Sequence, residues 1–69
     1  MPYKSFNKRD IYYSHEENNN IQLINNIYVN YILEMIVDGN KIEPTYNYTF
    51  QEKGNHTVYF LINNNFITL

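Results

Sequence analysis

Residues 46–62, Tyr-Asn-Tyr-Thr-Phe-Gln-Glu-Lys-Gly-Asn-His-Thr-Val-Tyr-Phe-Leu-Ile, constrain the fold more than any other stretch of the chain. Tyr46, Tyr48 and Phe50 alternate with Asn47, Thr49 and Gln51, the period of a strand with one buried face. After Lys53-Gly54-Asn55, His56, Val58, Phe60 and Ile62 fall on one face and Thr57, Tyr59 and Leu61 on the other. Apolar residues on both sides of this second run predict a strand in the middle of a sheet. The glycine between the two runs predicts that they pair as a hairpin.

A second hairpin is predicted upstream. Asp38-Gly39 follows the apolar run Tyr31–Val37, and an Asp-Gly pair between apolar segments supplies the positive φ angles of a two-residue turn. Ile27, Tyr31 and Met35 also fit a helical stripe, but the turn that follows favours a strand for 31–37. Its partner Lys41-Ile42-Glu43 is stopped by Pro44, which removes a ladder donor and suits a sheet edge. Ile21 and Leu23 share one face of a further run. Residues 1–19 show neither period beyond the short β-prone Ile11-Tyr12-Tyr13, so a flexible or loosely packed lead-in is expected there, with a single β-domain over 20–69.

The expected fold is therefore all-β: a small antiparallel β-sandwich or half-open barrel of five to six strands, immunoglobulin-like. The strands fall at about 20–25, 31–37, 41–43, 45–51, 55–63 and 66–69. The expected core is Ile21, Leu23, Leu33, Met35, Val37, Tyr48, Phe50, Val58, Phe60 and Ile62.

With 69 residues and no cysteine, such a domain must be held by apolar burial alone, close to the lower size limit for doing so. The eight tyrosines and four phenylalanines supply large side chains for that purpose. A net charge of −2 with dispersed bases argues against nucleic acid, which asks for a concentrated positive face. No apolar run approaches the roughly 20 residues of a membrane span, and Met1-Pro2-Tyr3-Lys4 leads into polar residues, unlike a signal peptide. The thirteen asparagines and nine isoleucines fit an A/T-rich coding sequence, and Asn runs at 18–20, 25–26 and 63–65 read as loops.

Residues with potential chemistry are few. His15-Glu16-Glu17 places three polar side chains side by side in a loop, without the third or fourth converging ligand that a metal needs. His56 begins the most apolar strand and has no nucleophile motif beside it, which suggests a packing or sheet-edge histidine. Asp38-Gly39-Asn40 lacks the further acids of a calcium loop, so Asp38, Gly39 and Gly54 are expected to define turns. Asn47-Tyr48-Thr49 and Asn55-His56-Thr57 match the glycosylation acceptor pattern, as two sites in so Asn-rich a chain would by chance. Tyr12, Tyr13, Tyr28, Tyr31 and Tyr59 are candidate interaction residues. No catalytic, cofactor-binding or metal residue is predicted, and no cofactor.

Two resemblances add to this reading. Tyr48-Thr49-Phe50 with Lys53-Gly54 and His56 to Phe60 looks like the last hairpin of immunoglobulin-like modules of the polycystic-kidney-disease type. The order Asn20 to Asn26, Val37-Asp38-Gly39-Asn40-Lys41, Tyr46 to Phe50 and Gly54 to Phe60 is similar to the small N-terminal β-domain of BspA-like leucine-rich-repeat surface proteins, although the repeats are absent. That resemblance, over about residues 20–69, implies a non-enzymatic cap or adhesion unit at a cell surface. The expected function is a structural or protein-interaction module that meets a protein partner, or another copy of itself as a homo-oligomer, through strand edges. The alternative is a carbohydrate- or small-ligand-binding domain with a tyrosine platform.

Overall fold

The strand built from residues 56–62 is central, as its two apolar faces predict. In a computed structural model that describes residues 5–63, β6 (Gly54–Asn63) lies between β1 (Ser5–Ser14) and β3 (Ile32–Val37), with β4 (Asn40–Ile42) beyond β3. A second sheet pairs β2 (Asn19–Gln22) with β5 (Asn47–Phe50), and all pairings are antiparallel. The fold is thus small and all-β, with two sheets of four and two strands among the described residues. The strand expected at 66–69 lies outside them.

The two layers share one core, formed by Leu23, Ile32, Met35, Val37, Phe50, Val58, Phe60 and Ile62. Ile21 and Tyr48 flank it half-buried. Leu33, expected in the core, is instead 44% exposed, and Ile32 takes its place. The cause is a register shift: Ile32 pairs with Ile62 but Glu34 pairs with Leu61, so Leu33 is an extra residue in the ladder. Such a bulge inverts the in-and-out alternation on one side of itself. Ile32 and Met35 therefore face the same way although they are three residues apart.

Residues 5–14, expected as a lead-in, form one of the two ten-residue strands and pair with β6 without interruption from Ser5–Asn63 to Ser14–Gly54. Their alternation is hidden because the inward positions are mostly polar. Phe6, Lys8, Asp10, Tyr12 and Ser14 lie opposite Ile62, Phe60, Val58, His56 and Gly54. Lys8 pairs with Asp10 and holds its ammonium 5.6 Å from the Phe60 ring centre. Tyr12 donates its hydroxyl to the Leu23 carbonyl at 2.8 Å. The buried Ser14 hydroxyl donates to the Glu16 carbonyl at 2.7 Å.

The Asp38-Gly39 turn is as predicted. Val37 pairs with Asn40, and φ is 48° at Asp38 and 84° at Gly39, the signs of a type I′ turn. The hairpin predicted around Gly54 does not form. β5 and β6 belong to different sheets, and residues 51–53 with Gly54 (φ 116°) carry the chain across the corner. Crossing between layers buries Phe50 and Phe60 in the common core, whereas a flat hairpin would place both in one sheet. The helical periodicity beginning at Ile27 is realised in part as a 3₁₀ helix, Asn26–Tyr31, whose first turn is capped by Asn25 Oδ1 accepting from the Ile27 N–H at 3.1 Å.

Candidate functional site

Two places combine accessible polar groups with a defined geometry: the corner around His56 and the outer edge of β1. At the corner, Asp38 sits in the type I′ turn and His56 near the start of β6. The turn brings Asp38 beside β6, where its Oδ1 accepts from the Thr57 N–H at 2.9 Å while Oδ2 lies 2.6 Å from His56 Nδ1. His56 Nε2 lies 2.7 Å from the Glu52 carbonyl oxygen. A carboxylate and a carbonyl can only accept, so both ring nitrogens must donate, and the arrangement selects the imidazolium. Phe50 stacks on that ring, with centroids 4.4 Å apart and planes 26° from parallel, a favourable cation–π geometry.

The electrostatics agree. The hydrogen bond to Asp38, then that to the Glu52 carbonyl, raise the His56 pKa; burial opposes them, and the charges of Asp38 and Glu52 add to the rise. For Asp38, burial disfavours ionisation, but the hydrogen bonds from His56 and Thr57 and the His56 charge together outweigh it and lower the carboxyl pKa. With both nitrogens committed, the ring has no lone pair to act as a general base. His56 is therefore a clip between a turn, a corner and a strand.

Beside it lies an open cavity of about 270 Å³, lined mainly by polar groups including Asp38, Asn40, Gln51 and Glu52. It falls just below the usual range for small-molecule sites, and its lining is predominantly polar, with Tyr48 and Phe50 as its apolar side chains. Among the described residues no three His, Asp or Glu side chains are grouped to hold a metal ion. His15 meets Tyr13 edge to face at 4.7 Å.

The five singled-out tyrosines do not share one face. Tyr12 points inward, half-buried, and burial first, then the neighbouring Asp10, push its pKa up to about 12. Tyr13 and Tyr59 lie on the outer face of the four-stranded sheet, opposite Asn55 and Arg9, and the Tyr59 hydroxyl donates to Asn7 Oδ1 at 2.7 Å. Tyr28 and Tyr31 belong to the 3₁₀ helix, and Tyr31 packs against the core. The turn residues Asp38, Gly39 and Gly54 all have positive φ.

The sequence missed the edge of β1, and its polarity can be worked out from Thr57. The Thr57 N–H donates to Asp38 and its carbonyl accepts from the Asp38 N–H at 2.8 Å, so both groups point toward β3. Backbone direction alternates along a strand. His56 and Val58 therefore turn toward β1, and their partners Tyr12 and Asp10 turn back toward β6. Asn7, Arg9, Ile11 and Tyr13 then direct their N–H and C=O groups away from the sheet. Among the described residues no strand pairs with that side of β1. The opposite edge, β4, has only three residues and is followed closely by Pro44.

No protein-family model, curated protein or solved structure matches this chain.

Proposed function

We propose that the chain is a non-enzymatic protein-interaction module that binds by β-strand addition along the outer edge of β1, which no described strand covers. The observation that carries this reading is the contrast between the two edges of the four-stranded sheet. β4 is short and bounded by proline, as protected edges are, whereas β1 offers ten residues without proline, glycine or bulge. A partner strand laid there gains main-chain hydrogen bonds to alternate residues and side-chain contacts on both faces. The commitment of both His56 nitrogens, and the cavity's small polar shape, favour binding over catalysis. A cap or adhesion role, implied by the resemblance to BspA-like proteins, would use the same edge.

Selection of extended peptides from a random display library tests the proposal. Binders should protect the amides of Asn7, Arg9, Ile11 and Tyr13 from hydrogen exchange and should fail against Ile11→Pro, which lacks the central outward N–H. The ladder to β6 uses the even-numbered residues, so this variant should stay folded, as its circular dichroism and melting curve will report. Peptides that bind parent and folded variant equally would overturn the reading.

A further inference from the structure

We infer that the partner of the β1 edge is β1 of a second copy, paired antiparallel about a two-fold axis through Ile11. This rests on the reading of β1 as a binding edge and adds the occupant and the register. An antiparallel pair of identical edge strands has its two-fold axis perpendicular to the sheet, which keeps each face on its own side. Opposed residues must then come from the same face, so odd pairs with odd and even with even.

Charge selects among the registers that remain. Centring on Lys8 or Asp10 sets two like charges directly opposite each other, and centring on Arg9 opposes two guanidinium groups while its Lys8–Asp10 cross pairs only replace the Lys8–Asp10 pair that each copy already makes within itself. Centring on Ile11 sets Ile11 against its own copy, with both N–H and C=O groups already directed outward. The same register sets Arg9 opposite Tyr13 of the other copy, twice, a guanidinium against an aromatic ring on the outer face. On the inner face it sets Asp10 opposite Tyr12 and Lys8 opposite Ser14, with no like charges opposed. Ile11 is 71% exposed and Tyr13 is 53% exposed, so this pairing covers two of the most exposed large side chains among the described residues. Centring on Tyr12 or beyond, or on Asn7 or before, pairs less of each strand. The product is one continuous eight-stranded sheet.

The chain has no cysteine, so a single introduced thiol reports the register. Hydrogen-bonded partners in an antiparallel ladder stand about 5.5 Å apart at Cα. Ile11→Cys should therefore be joined to its copy by a short bis-alkylating thiol reagent. Asn7→Cys should not, because in this register its opposite is residue 15 and the two residue-7 positions lie roughly 27 Å apart, at about 3.4 Å per residue. Sedimentation equilibrium of the parent should show a monomer–dimer equilibrium, and Ile11→Lys should weaken it roughly tenfold or more by opposing two ammonium groups at the axis. Cross-linking at residue 7 in preference to 11, or a dimer indifferent to Ile11→Lys, overturns the inference. A parent that stays monomeric at millimolar concentration also overturns it. Edge binding itself is judged separately, by whether the selected peptides still protect the odd-numbered amides of β1.

Discussion

The imidazole of His56 and the carboxylate of Asp38, eighteen residues apart in sequence, meet at 2.6 Å. Through this contact the tip of the β3–β4 hairpin is tied to the first residues of β6, and the Glu52 carbonyl ties in the corner between the sheets. Three segments with little apolar burial of their own are thereby held by one ring.

The clip makes stability depend on pH in a fixed direction. His56 has a raised pKa in the folded state, so its contribution is fully present below its unfolded value of about 6.5 and is lost as pH rises through the higher folded value. Asp38 has a lowered pKa, so its contribution is present above about 3.9 and is lost as pH falls through the lower folded value. The pair should stabilise most between about pH 4 and 6.5. In a His15→Gln background, where His56 is the sole imidazole, the urea midpoint should fall as pH rises beyond that window. A midpoint that climbs from pH 6 to 9 would contradict the assignment.

Asp38→Asn keeps an acceptor for the Thr57 N–H and tolerates positive φ, but it removes the charge that faces His56. It should cost about 1–2 kcal/mol at pH 5.5, toward the low end for a hydrogen bond to a charged group because the Asp38 carboxylate is partly exposed to screening solvent. The alkaline fall should flatten in the same variant. Equal slopes in parent and variant would show that another group carries the pH dependence.

The bulge at Leu33 yields a comparison between adjacent residues. Ile32→Ala empties a buried site and should destabilise by about 2–5 kcal/mol, whereas Leu33→Ala removes a half-exposed side chain and should cost less than about 1 kcal/mol. A plain strand alternation in phase with Met35 and Val37 predicts the reverse order, so chemical denaturation of the two variants decides between the registers.

That reversal also marks where the sequence was legible. Met35, Val37, Phe50, Val58, Phe60 and Ile62 were readable as core because each stands in an uninterrupted alternation or beside an Asp-Gly turn. Leu33 reads as core because nothing in the side-chain pattern announces an inserted ladder residue. β1 was missed for a different reason: Lys8 and Asp10 neutralise each other on its inward face, so a ten-residue pairing leaves almost no hydropathy signal. The false hairpin at Gly54 shows that two adjacent strand patterns fix the strands but not their sheet, since a corner and a hairpin turn use the same glycine. His56 and Asp38 each stand out in the sequence, but their contact depends on the β3–β6 register, which no local motif contains.

The two turn glycines should respond differently to asparagine. At Gly39, φ of 84° is close to the left-handed region that Asn tolerates, and at Gly54, φ of 116° lies well beyond it. Neither position has an atom within 4 Å of an added Cβ, so backbone strain decides the outcome. Gly54→Asn should cost about 1–3 kcal/mol and Gly39→Asn clearly less. Equal melting temperatures for the two variants would show that the corner at residue 54 relaxes without loss.

Phe50 and Phe60 separate burial from clip chemistry. Both are almost fully buried, and either replaced by Ala should lose about 3–5 kcal/mol, comparable with the whole stability of a domain this small. Only Phe50 lies against His56. A milder pair, Phe50→Leu and Phe60→Leu, should keep the fold while removing one aromatic ring from each site. Because the stacked ring favours the imidazolium over the neutral form, Phe50→Leu should lower the pKa of His56, which NMR titration of the ring protons measures directly. Phe60→Leu should leave that titration where it is, though it destabilises the core as much. If both variants shift His56 alike, the ring senses general loosening of the core and the Phe50 stack contributes nothing specific to the clip.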